Sequence, residues 1–304
     1  MRKYLSLLIL CILFMLSGCK YTTNTDADVV VTIFPQYDIV KWIAEDYLDV
    51  YLVIPPGVDT HSYDPSVDDI LNIKKCDLFI YTTPSLEQWA PGLKDDGITL
   101  ELSNNPNIHL EKVQEKEEHH THHGEHDHDP HIWTSPIYVK YMVEDICNAL
   151  IEIDPTHQDV FINNKNRYIE ELDKIIIEMN EVSIEAQNTT FYFGTPFAMF
   201  YLFHHFDLKF ESIYETCATE IEPSIDDIIS MHKTIIESNV SHVFIKELVS
   251  TSVAERLVLN TDIQLEVLHS GHNVSSSDFE KGITLLEIMR NNINALRKEI
   301  NKWN

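Results

Sequence analysis

The sequence predicts an α/β protein of two lobes that one long helix joins. The first observation is that short apolar runs alternate with helical patterns in two separate sets, one in each half of the chain. Strand–helix alternation of this kind is typical of parallel sheets covered by helices. The second observation is a single amphipathic pattern of about 25–30 residues between the two sets. Two α/β lobes with a helical connection account for both observations.

The first set of elements falls in residues 28–153, which we assign to an N-terminal lobe. Apolar runs predict four strands, at Val29–Ile33, Val50–Ile54, Leu78–Tyr81 and Ile98–Leu102. Helical spacing occurs between strands, at Tyr37–Tyr47 and Val67–Lys74. Strands that alternate with helices in this way favour a parallel sheet.

The connection between the lobes is predicted at residues 154–187, where Asp154-Pro155 opens the longest helical pattern. Its apolar residues recur mostly at steps of three and four, which places them in one stripe along a helix. They are Phe161, Tyr168, Leu172, Ile175, Ile176 and Met179. An ordinary core helix would have the same stripe, but the position between the two sets favours a rigid strut between lobes.

Residues 188–304 are assigned to a C-terminal lobe of the same kind. Its predicted strands are Thr190–Gly194, Leu208–Ile213, His242–Ile245 and Leu265–Leu268. Its predicted helices are Phe197–His205, Ile225–Ser238 and Ser252–Leu259, followed by a final amphipathic helix at Ser277–Trp303.

The first residues predict export and attachment to a membrane. An apolar run that begins at Tyr4 ends in Leu16-Ser17-Gly18-Cys19. Small residues before a cysteine, directly after a short apolar stretch, are typical of a bacterial lipoprotein cleavage signal. We therefore assign residues 1–18 to a signal peptide, Cys19 to lipidation and residues 19–27 to a polar tether. This predicts an extracytoplasmic protein, lipid-anchored to the bacterial cell membrane, with an uncleaved N-terminal anchor as the alternative.

The chain is strongly acidic, with a formal net charge of -27 over 304 residues. This charge excludes proteins that bind nucleic acid through its phosphates, because such binding needs basic patches. It is compatible with the capture of cations, although acidity mainly serves solubility. No CxxC pair is present, which argues against a thiolate zinc site and a redox motif. We expect Cys76, Cys147 and Cys217 to behave as small buried hydrophobes.

Residues 111–129 have almost no apolar side chains, and we predict a disordered or mobile loop there. Imidazoles suit zinc, copper and nickel, and the carboxylates interleaved with them add weaker ligands. A flexible tract binds metal only at an entropic cost, so we expect weak, multiple sites; an inert linker is the alternative. The six histidines are His119, His120, His122, His123, His126 and His128.

Three histidines outside this loop are candidates for a tight site. Ligand sites in α/β folds lie just past the C-terminal ends of strands. His61, in PPGVDTHSYDPS, follows the second predicted strand, and His269, in VLHSGHN, follows the last one. His131, in DPHIWTSP, comes directly after the His-rich loop, and His272 is a spare candidate beside His269. Four such ligands in a tetrahedron would suit zinc.

These motifs resemble the zinc/manganese family of solute-binding lipoproteins that serve ABC importers. The similarity runs from Val29 to the C-terminus and includes both histidine motifs, the long helix after DPTHQ, ETCATEIEPS and ITLLEIMRNNINALRKEI. The resemblance implies two Rossmann-like α/β lobes joined by a long rigid helix, with the metal site in the interlobe cleft. It also implies that His61 and His131 are metal ligands.

The other two ligands of the family do not transfer directly. After the first strand of the C-terminal lobe, where the family has a histidine or glutamate, this chain has Gly194-Thr195-Pro196. His269 lies near the place of the family's last ligand, an aspartate, so the resemblance implies that role with a change of residue. Glu220 and Glu222 are candidates for the missing ligand, because alternate residues of an extended segment point the same way. Glu222 also suits a helix start, where acidic side chains are favoured.

These features predict a protein that captures Zn²⁺ and delivers it to the permease and ATPase complex of an ABC importer. The alternatives are a manganese-binding importer component, a surface adhesin or zinc buffer, and an exported zinc metalloenzyme. Imidazole ligands favour zinc, since Mn²⁺ prefers oxygen ligands. The sequence has no HExxH motif, nucleophile elbow or Gly-rich phosphate loop, so we predict no enzymatic activity. We expect the protein to act as a monomer.

Overall fold

The computed structural model describes residues 27–94, 96–112, 128–214 and 222–301. Within these ranges the chain forms two four-stranded parallel sheets and a 28-residue helix between them, which confirms the predicted fold class. The signal peptide, Cys19, most of the tether and most of the His-rich segment lie outside the described residues. None of the helices in the described ranges has both the length and the apolar character of a membrane span.

The N-terminal sheet has the strand order β2-β1-β3-β4, and every pair in it is parallel. The strands are β1 (Val29–Val31), β2 (Val50–Leu52), β3 (Leu78–Tyr81) and β4 (Ile98–Glu101). The three valines of β1 are completely buried, as expected for a central strand with both faces covered. The predicted strands extend one or two residues too far where the chain stays buried after it leaves the sheet, as at Ile33 and Ile54.

The C-terminal sheet repeats this topology in the order β6-β5-β7-β8, again with parallel pairs. The strands are β5 (Thr190–Phe193), β6 (Lys209–Ser212), β7 (His242–Ile245) and β8 (Gln264–Val267). In both lobes the carboxyl ends of the strands point to one edge of the sheet. The histidine-bearing segments that follow β2 and β8 therefore start from equivalent edges of the two lobes.

Nine α-helices occur in the described ranges. They are α1 (Phe34–Ala44), α2 (Val67–Lys75), α3 (Pro136–Ile153), α4 (Gln158–Glu185), α5 (Phe200–His205), α6 (Ile225–Glu237), α7 (Ser252–Leu257), α8 (Ser276–Glu280) and α9 (Leu285–Ile300). The long helix α4 corresponds to a length of about 42 Å at 1.5 Å per residue. Its stripe is buried at Phe161, Tyr168, Leu172, Ile175 and Met179, and α4 packs on α1, α3 and α9.

Two helical regions differ from the prediction. Helix α3 was not predicted, although Ser135 caps it and buried residues recur at steps of three and four from Val139 to Leu150. The single helix predicted at Ser277–Trp303 is wrong, because the chain is interrupted between α8 and α9. Gly282 has a φ of 74°, which ends α8, and Thr284 then begins α9 with a capping box. The apolar spacing continues across the interruption and therefore gives no sign of it.

Asp38 on α1 joins three helices from different parts of the chain. Its Oδ2 accepts hydrogen bonds from the Tyr168 hydroxyl on α4 and from the Leu285 N–H at the start of α9, both at 3.1 Å. Burial raises the pKa of Asp38 to about 7. Asp38 therefore binds the first N–H of α9 from within the N-terminal lobe, beside the Thr284 cap.

We expect Asp38 to make stability depend on pH between about 4 and about 7. Its folded pKa is raised above the unfolded value of about 3.9, so its contribution is fully present below that value and is lost as pH rises through about 7. A difference of one between the folded and the unfolded pKa corresponds to about 1.4 kcal/mol of folding free energy. Urea unfolding of metal-free wild type and Asp38→Asn at pH 5 and pH 7 measures this, and wild type should lose stability relative to the variant on going to pH 7. Equal changes in the two proteins would contradict the assignment.

Candidate metal centre

Three histidines from distant parts of the sequence meet between the lobes. One ring nitrogen from each of His61, His131 and His272 lies within 4.8 Å of the other two. The ring centroids are 5.6 Å apart for His61 and His131, 4.8 Å for His61 and His272, and 5.1 Å for His131 and His272. Ligand nitrogens of a tetrahedral zinc ion with bonds of about 2.0–2.1 Å are roughly 3.3 Å apart. A small shift of the three rings towards one another would therefore bring their nitrogens to the spacing of zinc ligands.

Each ligand-bearing segment follows a regular element of the fold. His61 lies in the loop after β2, and His131 immediately precedes a short 3₁₀ turn, Ile132–Thr134, that leads into α3. His272 lies in the loop after β8. His61 and His131 belong to the N-terminal lobe and His272 to the C-terminal lobe, so the three rings converge only where the lobes face each other.

Two of the three histidines are buried, and each of these has a ring nitrogen without a protein partner in the described residues. His131 is completely buried and His272 is 5% exposed, and the Nε2 atom of His61 is also buried. Within the described part of the chain, Nε2 of His131 and Nε2 of His272 make no hydrogen bond. Buried polar atoms are otherwise almost always paired, so these nitrogens suit a metal ion.

Two effects prepare the imidazoles to bind a cation. Asp129 Oδ1 lies 2.9 Å from Nδ1 of His131 and also accepts the His131 backbone N–H at 2.9 Å. A carboxylate that holds the proton on Nδ1 leaves Nε2 with a free lone pair, as in many metal sites. Burial, followed by the neighbouring His61 and His131 rings and Lys246, lowers the pKa of His272 well below its ordinary value. His272 is therefore neutral at pH 7.

His269 lies outside this group. Its Nδ1 accepts the Gly271 N–H at 3.0 Å and lies 3.6 Å from a carboxylate oxygen of Glu247, while Asn292 binds both backbone groups of His269. Gly271 has a φ of 70°, and this turn redirects the chain so that His272 faces the cleft instead. The structure therefore brings His272, three residues further along the chain, to the imidazole group in place of the predicted His269.

The other candidate ligands either lie away from the imidazole group or lie outside the described residues. Glu222 is exposed, two residues before the Ser224 cap of α6, and does not join the imidazole group. His128 forms an isolated bridge with Lys112. Glu220, Cys19 and the remaining loop histidines lie outside the described residues; these histidines are His119, His120, His122, His123 and His126. In the described ranges, no fourth His, Cys, Asp or Glu completes the group.

Sequence reasoning missed two features of the centre. His272 is only a spare candidate by its sequence position, and Asp129 does not stand out there. The signal for Asp129 is its spacing, since a carboxylate two residues before a histidine can reach Nδ1 when the intervening residue is a proline that turns the chain. Cys76 and Cys147 are buried free thiols that do not join the imidazole group, as predicted for small buried hydrophobes. Cys217 lies outside the described residues.

Comparisons with known proteins agree with this architecture. The sequence model of the family described as ZnuA, zinc-uptake complex component A, periplasmic, matches residues 29–299. The high-affinity zinc uptake system protein ZnuA of Bacillus subtilis is 28% identical over 315 residues, covering 98% of each chain.

Two further relatives are also known as structures. The zinc-binding lipoprotein AdcA of Streptococcus pneumoniae is 28% identical over 97% of this chain, which spans 61% of that relative. The structure of its Zn(II)-bound form has a TM-score of 0.74 at 25% identity, over 91% of this chain and 58% of that one. The laminin-binding protein of Streptococcus agalactiae, described as having adhesin and metal transporting activity, has a TM-score of 0.77 at 26% identity, over 90% and 99% of the two chains.

Proposed function

The chain belongs to the ZnuA family of periplasmic zinc-uptake components, and on this premise we propose that it captures Zn²⁺ and delivers it to the permease of an ABC importer. The observation that carries the proposal is the convergence of three imidazoles, two of them buried, between the lobes. Neutral imidazole is a good ligand for Zn²⁺, whereas Mn²⁺ prefers a shell of oxygens. The manganese alternative is therefore disfavoured by the donor set.

Metal competition tests the proposal. Purified protein without residues 113–127 should bind one equivalent of Zn²⁺ tightly, and a large excess of Mn²⁺ should not displace it, because the three donors are nitrogens. A chelator of known affinity in the titration gives the dissociation constant for each metal. Equal affinities for Zn²⁺ and Mn²⁺, or binding that disappears with the His-rich segment, would contradict the proposed site.

Zinc prefers four ligands, and we keep Glu220 as the candidate for the fourth. Glu220 lies outside the described residues, two positions before Glu222. Its carboxylate would add one oxygen ligand to the three histidines. Glu220→Gln should lower zinc affinity if the carboxylate binds, and unchanged affinity would leave the fourth position to water. Three histidines and a water also occur in zinc hydrolases, but the family role favours transport.

Asp129 should tune the affinity of the centre through His131. We expect Asp129→Ala to weaken zinc binding by about 10- to 100-fold, as for other carboxylates that orient a ligating imidazole. Asp129→Asn should cost less, since its amide oxygen can still accept the Nδ1 proton. The matched control is Asp154→Asn, because Asp154 contacts Nδ1 of His157 at 2.5 Å outside the centre. Equal zinc affinities in Asp129→Ala and the control would show that the Asp129 contact has no such role.

We also infer that Cys19 carries the lipid anchor and that the mature protein functions at the outer face of the cytoplasmic membrane. The cleavage signal before Cys19 supports this, together with the description of the pneumococcal relative as a lipoprotein. Membrane fractionation of cells that express Cys19→Ser tests the anchor, and retention of the variant in the membrane would contradict it.

A further inference from the structure

The segment directly after His272 crosses to the other lobe and binds the loop that carries His61. The side-chain amide of Asn273 donates two hydrogen bonds, to the carbonyl oxygens of Pro55 and Val58, each at 2.8 Å. Asn273 is only 5% exposed. A buried amide therefore connects the ligand-bearing loops of the two lobes through atoms that do not bind metal.

The side chain of Asn273 is matched to this position. Its NH₂ group has two donors, and both meet a carbonyl of the turn formed by Pro55, Pro56, Gly57 and Val58. Its Oδ1 accepts the N–H of Val274 at 2.8 Å, so the amide is held in one orientation. A side chain of similar shape without donors would leave both carbonyls without this partner.

A second contact between the lobes ties the remaining ligand segment to the same loop. The indole N–H of Trp133 donates to the carbonyl of Ser270 at 3.0 Å, and Trp133 is completely buried. Its ring centroid lies 5.3 Å from that of His131 and 5.0 Å from that of His272. The segments of all three imidazoles are thus connected to one another by backbone carbonyls and two side-chain donors.

We propose that Asn273 is a positioning residue that latches the two lobes together and thereby sets the zinc affinity and the release rate of the centre. The proposal rests on the proposed function, since it concerns the same site. The two hydrogen bonds exist only when the His61 and His272 loops are adjacent, so they add to the stability of the closed arrangement alone. Opening of the cleft breaks both of them, and the ion is then held by ligands from one lobe only.

The size of the effect follows from the number of bonds. Two hydrogen bonds of ordinary net strength shift the equilibrium between open and closed arrangements by about 5- to 100-fold. The apparent dissociation constant scales inversely with the fraction of protein in the binding-competent arrangement. Since zinc release requires opening of the cleft, the two hydrogen bonds should act mainly by slowing zinc dissociation.

The test compares Asn273→Leu and Asn273→Ala with wild type and with Ser276→Ala. Leucine keeps the number and branching of the side-chain heavy atoms of asparagine without its donors, and alanine removes both the branch and the donors. Ser276 is the matched control, because it is exposed and makes a single, longer bond of 3.3 Å to Pro56 across the same contact. Zinc release into an excess of chelator, followed by stopped flow, gives the dissociation rate, and Co²⁺ substitution gives a visible spectrum that reports the ligand set.

Both Asn273 variants should release zinc about 5- to 100-fold faster than wild type with an unchanged cobalt spectrum, and Ser276→Ala should stay within about threefold. Release rates equal to wild type would contradict the proposed role of Asn273, even if the variants melt at a lower temperature. An altered cobalt spectrum would overturn it as well, because Asn273 would then act on the ligand set. Absence of tight zinc binding in wild type would instead overturn the proposed function, which makes the two failures distinguishable.

Discussion

His272→Asn should weaken zinc binding by at least about 100-fold, roughly 2.7 kcal/mol or more, whereas His269→Asn should have little effect. Asparagine places its side-chain oxygen near the position of Nδ1 but has no atom near that of Nε2. In His272 the buried Nε2 without a partner is the atom that suits the metal, so its removal eliminates a ligand. In His269 the Nδ1 atom accepts the Gly271 N–H, and the asparagine oxygen can take over that bond.

This pair of variants separates the two neighbouring histidines, of which sequence patterns favoured His269. Competitive chelator titration on protein without residues 113–127 measures both affinities, so that only the interlobe centre contributes. Circular dichroism of the metal-free variants checks that both are folded. A large loss in His269→Asn with none in His272→Asn would return the ligand role to the residue at the strand end.

Zinc affinity should also fall steeply between pH 7 and pH 5, because each ligating imidazole must be neutral. One ordinary histidine with a pKa of about 6.5 lowers affinity roughly 25-fold over this range, and two lower it several hundred-fold. The pKa of His272 is held well below its ordinary value by burial, and next by the His61 and His131 rings. Its proton therefore competes less with the metal over this range than the proton of an ordinary histidine would, and the total fall should be smaller than three ordinary histidines would give.

Chelator titration at closely spaced pH values, with circular dichroism to check folding at each of them, measures this profile. In His272→Asn most of the affinity should be lost, whereas the pH dependence of the remaining affinity should change little, because the lowered pKa of His272 gives it a small share of the proton competition. A flat profile down to about pH 5 would indicate carboxylate ligands, which ionise near about 4, and would favour the manganese alternative.

Much of the architecture could be predicted because central strands such as β1 and β3 are buried on both faces. Val29–Val31 and Leu78–Tyr81 are short apolar runs with no polar alternation, and a parallel sheet covered by helices requires such runs. Strand ends were less accurate, since Ile33 and Ile54 are buried without belonging to the sheet. Burial and hydrogen-bonded pairing are different properties, and only burial is visible in apolar composition.

The centre was only partly predictable for a related reason. His61 and His131 stand in motifs distinctive enough to single out from the residues around them. The distinction between His269 and His272 depends on the positive φ of Gly271 and on Asn292 of α9, which holds the backbone of His269. These contacts come from the packing of a helix that follows in the chain, and no local pattern encodes them. Glu222 fits the helix-start alternative, because Ser224 caps α6 two residues later.

The path of α9 has a consequence for how the protein folds and is made. The helix follows the other elements of the described residues, yet it packs on α1 and α4, and Asp38 accepts its first N–H. One continuous core includes Val30, Tyr168, Phe244 and Leu296, so α9 packs into a core to which both lobes contribute. A nascent chain that has synthesised everything before Leu285 still lacks the cover for its long connecting helix. Native packing around α1 and α4 therefore becomes complete only after α9 has been synthesised.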